Sequence, residues 1–124
     1  MNHKRLLTID DEEAIQIVVK FGITIAAGWE VLSASNGKIG IETAERELPD
    51  AILLDVMMPE MDGIATFKAL QANPLTAKIP VIFLTAKAQT AERNQFTDLG
   101  VNWTIAKPFN ALDLPDRITK ILNW

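Results

Sequence analysis

Short apolar runs alternate along the chain with longer segments in which apolar residues recur every three or four positions. Five of the runs are rich in Leu, Ile and Val, are bounded by turn residues and have the length of buried strands. They lie at residues 6–9, 30–34, 51–56, 81–85 and 103–106. The periodic segments predict helices that follow each strand in turn: one ending at Gly28, and others at residues 38–47, 63–72, 88–99 and 111–122.

The first predicted helix has the clearest amphipathic pattern. Its predicted buried face consists of residues at helical spacing: Ile15, Val18, Val19, Gly22, Ile23 and Ala26. Glu12 and Glu13 give it an acidic first turn, which suits the positive end of the helix dipole. Asp62 is predicted to cap the helix at residues 63–72. Pro115 is compatible with the last helix only in its first turn.

Strands and helices alternate five times, and this alternation determines the class of fold. Strands of this composition in a βαβ order form a parallel sheet, because right-handed crossovers place helices on both faces. The sequence therefore predicts an α/β protein with a doubly wound, five-stranded parallel sheet flanked by five helices. Its 124 residues are enough for one core and too few for two, so residues 1–124 are predicted to form a single domain.

Composition and charge exclude several classes of protein. A net charge of -4 and a pI near 4.9 argue against direct binding of nucleic acid, whose phosphates attract basic surfaces. The chain has no cysteine, which excludes disulfides and thiolate metal sites and is consistent with a cytoplasmic protein. The apolar stretch at residues 21–29 has about half the length of a membrane-spanning helix. We therefore expect a soluble chain without membrane insertion.

Polar residues stand where the predicted strands end, which is where open parallel sheets bind ligands. They are Asp10, Asp11, Asp55, Thr85 and Lys107. Asp55 interrupts an otherwise apolar run, and a buried carboxylate is costly unless it is paired. If the aspartates converge, each pair at roughly 4 Å repels by about 4 kcal/mol at an effective dielectric constant of about 20. Lys107 and a hard divalent cation such as Mg²⁺ would supply the compensating charge.

Such a pocket has the groups needed for phosphoryl transfer. The Asp55 carboxylate can attack phosphorus, while a metal ion and Lys107 neutralise charge and the Thr85 hydroxyl donates a hydrogen bond. Each residue taken singly also has a structural explanation. Asp10 and Asp11 are typical of a helix cap, Thr85 of an ordinary strand and Lys107 of a solvated loop. Their combined placement at the ends of separate strands favours a functional site.

Four segments of the chain resemble the motifs of response-regulator receiver domains of two-component signalling. The segments are LTIDDE at residues 7–12, LLDVMMPEMDG at 53–63, FLTA at 83–86 and AKPF at 106–109. The resemblance covers residues 6–122 and implies a flavodoxin-like sheet with strand order 2-1-3-4-5, an order for which a protein of this family is a standard example. It also implies a cis bond between Lys107 and Pro108.

The resemblance assigns a role to each polar residue at the strand ends. Asp55 would accept a phosphoryl group from a sensor histidine kinase or a histidine phosphotransfer protein, and Thr85 and Lys107 would hold its oxygens. Four ligands are implied for Mg²⁺ or Mn²⁺: Asp10, Asp11, Asp55 and the backbone carbonyl of Met57. Receiver domains catalyse only their own phosphorylation and dephosphorylation, so no enzyme with an external substrate is implied. The modified surface would act on an output protein that the sequence does not name.

Two alternatives and one departure accompany this interpretation. A Mg²⁺-dependent phosphohydrolase of the aspartyl-phosphate type would need an acid where Met57 stands, and a binding module would keep the fold without phosphorylation.

Members of the family often carry an aromatic switch residue where this chain has Thr104, beside Trp103. The sequence therefore does not say how movement of Thr85 would be coupled to an aromatic side chain. The helix at residues 88–99 is the predicted moving part. The chain is either a stand-alone receiver or a piece of a longer regulator.

Overall fold

The computed structural model describes residues 3–58, 61–85 and 103–124, which form five strands and four α-helices. The strands are β1 (Arg5–Ile9), β2 (Glu30–Ala34), β3 (Ala51–Asp55), β4 (Val81–Thr85) and β5 (Thr104–Ala106). The helices are α1 (Glu13–Ala27), α2 (Gly37–Glu47), α3 (Gly63–Ala72) and α4 (Leu114–Leu122). A 3₁₀ turn at Ala111–Asp113 precedes α4. The helix predicted at residues 88–99 lies outside the described residues.

The predicted elements that fall on described residues are confirmed, most of them to within one residue at each end. Gly28 ends α1 with a left-handed backbone (φ 70°) that favours glycine. Asp62 caps α3, since its side chain accepts a hydrogen bond from the Ala65 N–H. Pro115 lies in the first turn of α4, whose predicted start is instead the 3₁₀ turn. The Lys107–Pro108 bond is cis.

The sheet has the order β2-β1-β3-β4-β5, and every pair of neighbouring strands is parallel. The predicted doubly wound α/β fold is therefore confirmed. Because the chain first adds β2 on one side of β1 and then β3 on the other, β1 and β3 are neighbours at the point where the strand order reverses. Ile9 lies opposite Leu54 in this pairing. The residues that follow β1 consequently meet those at the end of β3.

Helices cover both faces of the sheet and enclose two apolar cores. One core lies between the sheet and α2 and α3, and includes the edge-to-face pair of Phe67 and Phe83 with ring centroids 5.8 Å apart. The other core lies under α1 and α4 and includes Ile23 and Ile118. Burial on both faces explains why the central strands are continuously apolar. None of the helices formed by the described residues is long and apolar enough to cross a membrane.

α1 buries most of the face that its apolar spacing predicts, but not all of it. Its buried residues are Gln16, Val19, Gly22 and Ile23. Val18 and Ala26, which were predicted to lie on the buried face, are exposed to solvent. That part of the prediction was wrong because apolar residues occupy most of the circumference of this helix, so spacing alone does not single out the side that packs. The consequence is an apolar surface on the outer side of α1.

Candidate functional site

Three aspartates gather at the edge of the sheet where the strands end. Asp10 and Asp11 follow β1, Asp55 is the last residue of β3, and one carboxylate oxygen of each lies within 4.8 Å of the other two. The strand order brings them together, since β1 and β3 are neighbours. Asp10 and Asp55 are only 3% and 2% exposed, whereas Asp11 faces solvent. The cluster thus consists of two buried carboxylates, Asp10 and Asp55, and an exposed one, Asp11, at its solvent-facing rim.

Lys107 supplies a positive charge to this site. It follows β5, and its Nζ lies 3.1 Å from Asp55 Oδ1 and 3.5 Å from Asp10 Oδ2. Its backbone N–H donates to the Thr85 carbonyl at 2.8 Å, which ties the lysine to the end of β4. The structure therefore brings the predicted lysine and the two buried aspartates into direct contact.

The electrostatic environment holds Asp55 between two opposing effects. Burial raises the pKa of the Asp55 carboxyl, and the charge of Asp10 raises it further, while the hydrogen bond and charge of Lys107 offset only part of this. Burial by itself would lower the pKa of Lys107, but its hydrogen bond to Asp55 and the charges of Asp10 and Asp55 together raise that pKa above its ordinary value. Among residues 3–58, 61–85 and 103–124, the carboxylates of the site thus outnumber its cation. Ionisation of Asp55 therefore costs free energy in the metal-free protein.

The raised pKa of Asp55 predicts that its charge destabilises the metal-free protein. The ordinary pKa of this carboxyl is 3.8, and folding raises it. Below pH 3.8 the carboxyl is protonated in both the folded and the unfolded chain, and the folded state has its full stability. As the pH rises through the folded pKa, the carboxyl ionises in its unfavourable site and that stability is lost. Replacing Asp55 by Asn should therefore raise the free energy of unfolding, and with it the melting temperature, near pH 7.5. The gain should shrink as the pH falls towards 4.

Thermal melts in EDTA across this pH range test the prediction. Glu42→Gln removes the same charge from an exposed position on α2 and should change the melting temperature little. An Asp55→Asn protein that melts below its parent at pH 7.5 in EDTA would contradict the prediction.

Thr85 and Met57 stand at the borders of the same pocket. Thr85 ends β4, where its side chain is buried. Met57 follows β3 by two residues, and its N–H donates to Asp55 Oδ1 at 3.3 Å while its side chain points to solvent. The assignment of its carbonyl to a metal stays a prediction. Thr104 begins β5, and the neighbouring Trp103 packs against the core under α1 and α4.

Gln16 supports the site and was missed in the sequence. Its side-chain Nε2 donates to the carbonyls of Asp10 (3.0 Å) and Ala34 (2.8 Å), and its Oε1 accepts from the Thr8 hydroxyl. The amide thereby joins α1 to the ends of β1 and β2 and holds the backbone of Asp10. The only signal in the sequence was a polar residue one turn after the aspartate pair, which by itself is typical of an exposed helical position.

The residues present fit a hard divalent cation. Three carboxylates offer oxygen ligands within reach of one another, and the described residues add no softer ligand to this cluster. Within the part of the chain that the structure describes, the Lys107 ammonium pairs with the two buried carboxylates and Asp11 adds a third, so the described groups carry an excess of negative charge. This donor set suits Mg²⁺, which binds through a few carboxylates and keeps several waters.

Comparison with known proteins identifies the class of protein to which this fold and site belong. The profile of the response regulator receiver domain matches residues 6–119. The chain therefore belongs to the response regulator receiver domain family, and it is a phospho-accepting signalling domain of two-component systems. The predicted resemblance is confirmed, and the family is one of signalling domains.

Three relatives illustrate the match. The alkaline phosphatase synthesis transcriptional regulatory protein PhoP of Bacillus subtilis is 35% identical over 120 residues, which cover 97% of this chain and 49% of PhoP. The chain thus spans about half the length of the curated relatives it matches. The Vibrio cholerae chemotaxis protein CheY4 superposes with a TM-score of 0.88 at 26% identity, with coverage of 97% and 99%.

A third relative bears on the metal site. The receiver domain of a sensor histidine kinase from Pseudomonas aeruginosa PAO1 superposes with a TM-score of 0.85 at 27% identity, covering 99% of this chain and all of that one. Its crystal structure is described as having a magnesium ion coordinated in the active site cleft.

Proposed function

We propose that Asp55 is the phospho-acceptor of this receiver domain and that it takes its phosphoryl group from a phosphohistidine. The observation that supports this assignment is the placement of a buried carboxylate between a lysine and two further carboxylates at the edge of the sheet. The hydrogen bonds that described residues donate to this carboxylate, from Lys107 Nζ and the Met57 N–H, are both accepted by Oδ1. Oδ2 is therefore the oxygen that we assign as the nucleophile.

The reaction is a transfer between two protein side chains. The Asp55 oxygen forms a bond to phosphorus as the phosphorus–nitrogen bond of the donor breaks, and the imidazole nitrogen keeps the electron pair of that bond. The product is a mixed anhydride of the carboxyl group and phosphate. Lys107 already lies against the Asp55 carboxylate and is placed to neutralise the incoming charge. The Thr85 hydroxyl is proposed to donate to a phosphoryl oxygen.

Asp10, Asp11 and Asp55 are proposed to hold Mg²⁺, with the Met57 carbonyl as a further ligand. When bound, the ion supplies positive charge that offsets the charge on the transferring phosphoryl oxygens. The role of Asp10 differs from that of Asp11. Asp10 is buried and fixed by the Glu12 N–H at 2.9 Å and by Lys107, whereas Asp11 lies at the open rim. Mn²⁺ presents a similar preference for oxygen ligands and is expected to substitute.

The added phosphate changes the charges around Lys107 and Thr85, which is the physical basis of the switch. A phosphoryl group adds a charge of roughly -1.5 to -2 at neutral pH, and the surrounding residues must rearrange to meet it. Residues 1–124 are proposed to act as one receiver domain in the cytoplasm. The donor would be a sensor histidine kinase or a histidine phosphotransfer protein, and the changed surface would act on an output protein.

A single chemical experiment tests the proposed function. The chain is incubated with phosphoramidate, whose phosphorus–nitrogen bond resembles that of phosphohistidine, in Mg²⁺ or in EDTA, and its intact mass is measured. We expect the mass of one phosphoryl group to be gained in Mg²⁺ and lost again in hydroxylamine, which cleaves acyl phosphates. Phosphorylation of equal extent in EDTA, or none in Mg²⁺, would contradict the proposal.

A further inference from the structure

Gln16 is the polar member of the buried face of α1. The residue is only 9% exposed, and the helix buries Val19, Gly22 and Ile23 with it. Burying an amide costs free energy unless the protein replaces the hydrogen bonds that water supplied. A methionine would fill a similar volume at this position without that cost. The contribution of Gln16 must therefore come from the groups that its amide binds.

Both ends of the Gln16 amide are hydrogen-bonded. Nε2 donates to the Ala34 carbonyl at 2.8 Å and to the Asp10 carbonyl at 3.0 Å, with a longer contact of 3.3 Å to the Thr8 carbonyl. Oε1 accepts from the Thr8 hydroxyl. Because carbonyl oxygens only accept, the amide must present its NH₂ group to them and its oxygen to the hydroxyl. The side chain therefore has a single orientation.

These bonds complete a set of restraints on Asp10. Its N–H donates to the Ala34 carbonyl at 3.1 Å, and its own carbonyl accepts from Gln16. Its carboxylate is held at both oxygens, since Oδ1 accepts from the Glu12 N–H at 2.9 Å and Oδ2 from Lys107 Nζ at 3.5 Å. Gln16 is the restraint on the carbonyl side of the residue.

The carbonyl that Gln16 binds belongs to the peptide unit between Asp10 and Asp11. A peptide unit is planar, so a hydrogen bond that fixes its oxygen also fixes the direction in which the chain leaves Asp10. Asp11 is exposed, yet one of its carboxylate oxygens lies within 4.8 Å of oxygens of Asp10 and Asp55. Carboxylates at such distances repel one another. The Gln16 bond thus helps to hold two of them near each other through their shared backbone.

A restraint on the candidate ligands affects metal affinity directly. Mg²⁺ demands near-octahedral geometry, so carboxylates that are already in place lose less freedom when the ion binds. Removing a group that orients ligating residues typically weakens metal binding by about 10–100-fold. The Gln16 amide reaches the aspartate pair through main-chain carbonyls, so it acts on the position of the ligands.

We propose that Gln16 is a positioning residue of the phosphoryl-transfer site and that it raises the affinity for Mg²⁺ by holding the peptide between Asp10 and Asp11. This inference rests on the proposed function, because it takes the aspartates as ligands of the ion. Gln16 itself is assigned no contact with the ion or with the phosphoryl group. Thr8 acts through Gln16, since its hydroxyl binds the amide oxygen.

Calorimetric titration of the whole chain with Mg²⁺ tests the proposal without a phosphorylation step. Gln16→Met keeps the length and helix preference of the side chain and removes its hydrogen bonds. We expect it to raise the dissociation constant for Mg²⁺ about tenfold or more. With phosphoramidate, the Mg²⁺ concentration that gives half the maximal rate should rise by the same factor. The rate at saturating Mg²⁺ should change by less than about threefold, because the acceptor and Lys107 are retained.

Two controls separate positioning from stability. Gln71→Met makes the same change at an exposed position of α3 and should leave Mg²⁺ binding unchanged. Ile82→Val lowers stability through the apolar core under α1 and α4, where Ile82 is fully buried, and should also leave Mg²⁺ binding unchanged. Urea unfolding measures the stability of each variant and verifies that it is folded.

Thr8→Val tests the same restraint while Gln16 is retained. It removes the hydroxyl at nearly constant volume and should raise the dissociation constant about threefold in the parent but have little effect in the Gln16→Met chain. The proposal is overturned if a folded Gln16→Met chain binds Mg²⁺ like the parent or, should that chain not fold, if Thr8→Val does. It is also overturned if Ile82→Val weakens binding as much as Gln16→Met. A parent that binds no Mg²⁺ refutes the metal site of the proposed function itself, and this proposal with it.

Discussion

Asp55→Asn is expected to abolish acyl phosphate formation on this chain, lowering its rate by at least about a thousandfold. The amide has nearly the same shape as the carboxylate but lacks the negative oxygen that attacks phosphorus. The substitution leaves Lys107 with Asp10 as its remaining carboxylate partner at this site. The neutral side chain is also predicted to stabilise the metal-free protein, so the thermal melts described above show whether unfolding contributes to the loss of phosphorylation. Intact-mass measurement with phosphoramidate and Mg²⁺ gives the extent of modification.

Asp62→Asn is the matched control for this prediction. Asp62 lies seven residues after Asp55, and its side chain caps α3 by accepting from the Ala65 N–H. Asparagine caps helices about as well as aspartate, so the same chemical change at this position should preserve both the fold and phosphorylation. Two results would refute the assignment of the acceptor: a hydroxylamine-labile phosphoryl group on the Asp55→Asn chain, or its loss from the Asp62→Asn chain.

The positions of the strands could be predicted because each is a short apolar run bounded by turn residues. β3 is an example, since its four apolar residues end at an aspartate that also marks the edge of the sheet. The candidate site could be predicted for a related reason. Polar residues at the ends of parallel strands lie at one edge, so Asp10, Asp55 and Lys107 were expected to meet, and the measured contacts show that they do.

Other features are not determined by local patterns. The strand order was implied by the family resemblance, because strand pairing depends on contacts between residues distant in sequence. The buried face of α1 was mispredicted at Val18 because apolar residues occupy most of the circumference of this helix, while the polar Gln16 turns inward and donates to main-chain carbonyls at the sheet edge. In the sequence, an exposed apolar residue of α1 cannot be distinguished from a buried one. The apolar surface on the outer side of α1 therefore became visible only in three dimensions.

Gly63→Ala is expected to destabilise the protein by about 3 kcal/mol and to slow phosphorylation of Asp55 at the same time. Gly63 is the first residue of α3, and its N–H donates to the Val56 carbonyl at 3.0 Å. A Cβ at this position would collide with the backbone carbonyl oxygen of Asp55 and stand 2.7 Å from Val56 Cα. Backbone atoms of a buried strand cannot rotate away as a side chain can, so the end of β3 must shift and carry the acceptor carboxylate with it.

The sign of the stability change makes this prediction diagnostic. A Gly→Ala change within a helix normally stabilises by up to about 1 kcal/mol, because alanine restricts the unfolded chain and favours helix. Ala65→Gly is the control: it removes a methyl group from the same turn of α3 at an exposed position and should cost no more than about 1 kcal/mol. Urea unfolding gives both free energies, and single-turnover phosphorylation gives both rates. If Gly63→Ala is as stable as its parent and is phosphorylated at the same rate, the close packing of α3 against the end of β3 does not position the acceptor.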